Sequence, residues 1–93
     1  MAELTLDHRV VVPDGVIARE LDGETVLLNL DTGIYFGLDA VGTGIWRAIR
    51  ASGSLQDALA AVESEYDVDR DVLRVDLLDL VNQMLAKGLL QSA

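Results

Sequence analysis

Two turn signals fall close together early in the chain. Asp22-Gly23 separates the run Val16-Ile17-Ala18-Arg19-Glu20-Leu21 from Glu24-Thr25-Val26-Leu27-Leu28-Asn29-Leu30, and Asp31-Thr32-Gly33 separates that second run from Ile34-Tyr35-Phe36-Gly37-Leu38. An Asp-Gly pair between two β-type runs fits a type I′ turn, which needs positive φ at both central residues. A three-residue connection ending in glycine suits a type I turn closed by a left-handed residue and a bulge. Two successive hairpins predict a three-stranded antiparallel meander. Its last strand, Ile34 to Leu38, has one edge paired and the other open.

Alternation along that strand sends Ile34, Phe36 and Leu38 to one face, the better core face, and Tyr35 and Gly37 to the other. Tyr35 then carries a ring to pack and a hydroxyl to hydrogen-bond on the face away from the core. Upstream, Arg9 to Val12 has strand composition, but Pro13 stops it, so a short edge strand is expected. Residues 1–9 read as loosely held.

The remainder is helical. Asp39 is an N-cap for a helix from Ala40 to Arg50 that puts Val41, Ile45, Trp46 and Ile49 on one face. Gly42 and Gly44 weaken that helix by about 1 kcal/mol each relative to alanine, so they imply close approach of other backbone. Ser54 caps a second helix to about Glu65, with Asp57 completing a variant capping box. Asp69 caps a third, to about Lys87, closed by Gly88; Leu89 and Leu90 pack back and Gln91 to Ala93 form a frayed tail. Three strands followed by three helices, with no parallel crossover, make an α+β domain with a winged helix-turn-helix-like layout. A single domain over 1–93 is expected, ordered from about 9 to 90.

The chemistry of catalysis is missing. The chain has no cysteine, which excludes disulfides, thiolate metal sites and a cysteine nucleophile. Its one histidine, His8, stands in the N-terminal segment without a metal or catalytic motif. No nucleophile elbow or phosphate loop occurs. Asp67-Val68-Asp69-Arg70-Asp71 copies the opening of a calcium loop, but Val72 stands where a glycine is needed and Leu78 where a bidentate glutamate is needed. Acids there complement a helix N-terminus instead. No catalytic residue, metal or cofactor is expected. With 16 acids against 7 bases and a net charge of −9, the surface repels nucleic acid, which argues against a winged-helix regulator. The N-terminus lacks a basic stretch and a long apolar run, and no apolar run approaches the roughly 20 residues of a membrane span. A cytoplasmic location is expected.

What remains is a binding module. The open edge from Ile34 to Leu38 carries unpaired N–H and C=O groups, and no proline or lysine blunts it. An extended peptide can pair there by strand addition. The third helix adds a second element: Leu73, Leu77, Leu78, Leu80, Val81, Met84 and Leu85 span an arc of roughly 160°, wider than the roughly 100° one packing partner needs. Either the surplus is buried by both the helices and the sheet, or a flank of Leu73, Leu77 and Leu80 walls a groove.

The wording Val26-Leu27-Leu28-Asn29-Leu30-Asp31-Thr32-Gly33-Ile34-Tyr35-Phe36-Gly37-Leu38-Asp39-Ala40-Val41-Gly42-Thr43-Gly44-Ile45-Trp46 resembles the PqqD-like family, and the stretch Val75 to Leu90, ending Lys87-Gly88-Leu89-Leu90, is similar to that family's closing helix. The family comprises recognition elements for ribosomally made, post-translationally modified peptides. The resemblance implies a non-catalytic domain that takes a precursor's leader as a fourth strand against the third helix. Carried onto this chain, it places peptide contacts at Ile34, Tyr35, Phe36, Gly37 and Leu38 on the strand and among Val72, Leu73, Asp76, Leu77 and Leu80 on the helix. Length and wording look most like the stand-alone recognition protein of lasso-peptide clusters, whose partners are a transglutaminase-like leader peptidase and a cyclase. The peptide chaperone of pyrroloquinoline quinone formation is the alternative within the family. A monomer or weak dimer is expected.

Overall fold

The computed structural model describes residues 4–93; the part of the expected loose N-terminal segment that falls on residues 1–3 lies outside them. The elements run β1 (Val10–Val11), β2 (Val16–Leu21), β3 (Glu24–Asn29), β4 (Tyr35–Leu38), α1 (Ala40–Ser52), α2 (Leu55–Glu65), α3 (Arg70–Ala86) and β5 (Gln91–Ser92). The main sheet is the expected meander, ordered β2-β3-β4 and antiparallel throughout. Its turns have the chemistry read from the sequence. Asp22 and Gly23 both adopt positive φ, 54° and 82°, as a type I′ turn requires. Gly33 closes the second turn at φ 76°, with its N–H on Asn29 O at 2.7 Å.

The sheet packs one face on the helices. Leu27 and Leu38 are buried with Ile45, Trp46 and Ile49 of α1, Leu55 and Leu59 of α2, and Leu73, Leu77, Val81 and Met84 of α3. A buried hydrogen bond from Thr25 Oγ1 to Thr43 Oγ1, 2.9 Å, ties β3 to α1. Each helix begins as read: Asp39 accepts from Gly42 N, Ser54 from Asp57 N, and Asp69 from Asp71 N and Val72 N. Gly53 and Gly88 follow α1 and α3 in the left-handed conformation.

Asn29 holds the sheet to the end of α3. Its Nδ2 donates to Gly88 O at 2.8 Å, and its Oδ1 accepts from Asp31 N at 2.9 Å and Thr32 N at 3.2 Å. One buried side chain thus closes the β3–β4 turn and anchors the C-terminal end of the helix opposite.

Several expectations are corrected. The tail does not fray: β5 pairs antiparallel with β1, and Ala93 N donates to Arg9 O at 3.0 Å. The expected short edge strand is present at Val10 and Val11, and its mate is the C-terminus, in a two-stranded sheet separate from the meander. The segment before it is held, because Leu4 and Leu6 pack against the core and His8 Nδ1 accepts from Thr5 N at 3.1 Å. The glycines of α1 are not there for neighbouring backbone. A Cβ on Gly44 would meet the Tyr66 ring and hydroxyl at 3.0–3.1 Å, and one on Gly42 would meet the side chains of Asp39 and Leu38.

Replacing Asn29 by alanine strands the Gly88 carbonyl and both turn amides. It should cost about 2–3 kcal/mol, seen as a lower urea midpoint at unchanged slope. A loss below about 0.5 kcal/mol would mean that water takes over these bonds.

Candidate functional site

The hydrogen-bond alternation of the β3–β4 pair determines which backbone groups of β4 are free. Asn29 N donates to Ile34 O at 3.0 Å, so that pair is a bonded one. In an antiparallel ladder bonded pairs alternate with non-bonded ones. In the observed register the next bonded pairs are Leu27 with Phe36 and Thr25 with Leu38. Tyr35 and Gly37 then point their N–H and C=O groups away from the sheet, along an edge that no other strand among the described residues covers.

The side chains alternate in step. Leu38 is buried and Phe36 half-buried on the core face, whereas Tyr35 is 70% exposed on the other. Ile34 lies just outside the strand and is 36% exposed. The Tyr35 ring is therefore not packed as expected, and among the described residues its hydroxyl has no protein partner.

The sheet's other edge is defended. β2 carries Arg19 and Glu20, and Glu20 faces the helices, where it is bound by Arg47 of α1. Inward-pointing charge of this kind discourages strand pairing. β4 carries no charge from Tyr35 to Leu38.

Beside β4 lies an open groove of about 640 Å³, within the roughly 300–1,000 Å³ usual for ligand sites. Phe36, Gly37 and Leu38 form one wall. Val41, Gly42 and Ile45 of α1 form the floor. Leu73, Asp76, Asp79, Leu80 and Gln83 of α3 form the far wall. The groove thus runs between β4 and α3. At one end Asn29 bonds Gly88, and the Lys87 ammonium sits 5.8 Å from the centre of the Phe36 ring, a cation–π contact.

The ten residues named from the sequence separate accordingly. Phe36, Gly37 and Leu38 line the groove with Leu73, Asp76 and Leu80. Tyr35 sits on the edge, and Ile34 leads into it. Leu77 has no exposed surface and belongs to the core. Val72 is 53% exposed but is not among the groove's lining. Leu73 is itself fully buried and forms the base of the wall. Of the two readings of the wide apolar arc, burial accounts for Leu73 and Leu77, and only Leu80 of that flank stands at the surface as wall. The sequence reading missed Asp79 and Gln83, which the helical wheel assigns to a solvated face, and the α1 floor, whose apolar residues look like any core stripe.

A groove bounded by an unpaired strand on one side and a helix on the other makes this a small α+β domain with a free strand-pairing edge. The model of the family described as coenzyme PQQ synthesis protein D (PqqD) matches residues 24–90, and the chain belongs to that family. Among solved structures it is similar to TbiB1 in complex with the TbiA(β) leader peptide, at 40% identity and a TM-score of 0.79, over 86% of this chain and 93% of that one. A search of curated proteins finds no match. No helix among the described residues is long and apolar enough to cross a membrane, and no group of three or more metal-ligating side chains among them is placed to hold an ion.

Proline substitutions read the edge directly. Tyr35→Pro removes an outward N–H and should leave stability within about 1 kcal/mol, whereas Phe36→Pro removes a ladder bond and should cost about 3 kcal/mol or more. Urea denaturation of the two variants checks this; equal losses would mean the outward groups are misassigned.

Proposed function

We propose that this protein binds the leader of a ribosomally synthesised precursor peptide, without catalysing any step itself, and delivers it to a modifying enzyme. The leader adds to β4 as a fourth antiparallel or parallel strand. Its backbone pairs with the outward N–H and C=O groups of Tyr35 and Gly37, and its inward side chains enter the groove. Ile34, Phe36 and Leu38 complete the strand contacts; Leu73, Asp76 and Leu80 supply those of the helix. Leu77 supports this wall from within the core, and Val72 marks its solvent side.

The observation that carries the reading is the contrast between the two sheet edges. One is guarded by charge, and the other is bare and faces a groove of suitable size. Similarity to a protein solved with a leader peptide supports the same use. The product class we favour is a lasso peptide, with a transglutaminase-like leader peptidase as the receiving enzyme and a cyclase as a further partner. Cytoplasmic action fits the absence of cysteine.

Calorimetric titration with the TbiA(β) leader peptide tests the binding. A dissociation constant at or below about 1 µM is expected, weakened at least about tenfold by Tyr35→Pro through the lost edge bond. Absence of binding heat together with unmoved amide resonances from Tyr35 to Leu38 would contradict the reading.

A further inference from the structure

We propose that the peptide taken by this groove carries a lysine or arginine against Asp76 and Asp79, so that a charge pair, as well as the strand edge, selects the ligand. The inference rests on the strand-addition reading above and names the chemistry of the segment bound.

Beyond Asp71 in its first turn, the charges of α3 are segregated. At about 100° per residue, Asp76, Asp79 and Gln83 share one flank with Leu80, whereas Arg70 and Arg74 fall on the other. Arg70 is drawn toward α2, with its guanidinium 3.5 Å from Glu63. Asp76 and Asp79 line the groove, and among the described residues neither has an ion-pair partner. Among the described residues no lysine or arginine lines the groove with them, and Lys87 sits over the Phe36 ring at its end. The opposite rim adds a third carboxylate, Asp39, but its Oδ1 accepts from Gly42 N at 2.8 Å and offsets the α1 dipole. The α3 pair has no such occupation.

A strand added to β4 sends every second side chain inward. Those side chains meet an apolar floor, Val41 and Ile45, below a wall where Leu80 stands one helical turn from Asp76. A lysine or arginine satisfies both surfaces: its aliphatic stem lies over the apolar residues and its head reaches the carboxylates. A glutamate in the same place would face two like charges in a site the bound strand partly shields from water. The chain's net charge of −9 acts in the same direction at longer range, drawing basic segments in faster than acidic ones.

Selection of a randomised-peptide display library tests this, run in parallel against the wild-type protein and the D76K/D79K variant. Both substituted side chains are exposed, so the variant should fold, which thermal unfolding verifies; D76N/D79N provides a second, milder change. Peptides selected on the wild type should carry a lysine or arginine at one fixed position. Changing that residue to glutamate should weaken binding about three- to tenfold. The D76K/D79K variant should select an acid there, and D76N/D79N should show no preference. Selected peptides that shift the Tyr35 and Gly37 amides yet show the same charge pattern on all three proteins overturn this inference and leave strand addition standing. A selection that yields no peptide shifting those amides overturns both.

Discussion

The geometry of this domain depends on the side chain of Asn29. It is buried, and its three hydrogen bonds join a local turn to a distant part of the chain. Two close the turn that launches β4; the third holds the last turn of α3 through Gly88. Apolar contacts are non-directional and tolerate sliding, so they do not set the spacing between strand and helix. A buried amide with all its partners in place does, because any displacement leaves a desolvated polar group unpaired. The groove between β4 and α3 is the space this clasp maintains at one end, with the Lys87–Phe36 contact beside it.

From that constraint the rest of the site follows. β4 is held by β3 on one side and borders the groove on the other, so Tyr35 and Gly37 retain outward backbone groups beside an apolar floor. The domain tolerates such an edge because it is short, four residues, and lies beside a helix instead of facing open solvent. The longer β2 edge has no such shelter and is protected by charge instead, Arg19 and the Glu20–Arg47 pair. The division between a guarded and an unguarded edge is a difference in chemistry between two strands of one small sheet.

Much of this was legible in the sequence because local rules govern it. The type I′ turn at Asp22-Gly23, the left-handed Gly33, the three N-caps and the Gly88 stop each depend on a few neighbouring residues, and all stand as read. Long-range pairings were not legible. Nothing local in Gln91-Ser92-Ala93 shows that it will find Val10 and Val11, and nothing in Gly44 shows that Tyr66 will occupy the space beside it. The candidate site divides the same way. Strand alternation identified the edge, whereas the helical wheel gave the apolar arc without saying which part the sheet would leave uncovered. Leu73 and Leu77 went to the core, and the groove took the adjoining flank with Asp76, Asp79 and Gln83. Asn29 reads in the sequence only as part of the second strand run, because its decisive partner, Gly88, lies far along the chain.

The central claim is that an extended peptide completes the ladder at β4. Residue-resolved hydrogen exchange in the presence and absence of the TbiA(β) leader peptide measures this most directly. Phe36 and Leu38 amides, already bonded to β3, should exchange slowly in both states. The Tyr35 and Gly37 amides should exchange rapidly in the free protein and become protected about tenfold or more when peptide binds, as each gains a partner. Peptide binding that leaves Tyr35 and Gly37 unprotected, with new protection confined to another surface, would contradict the account.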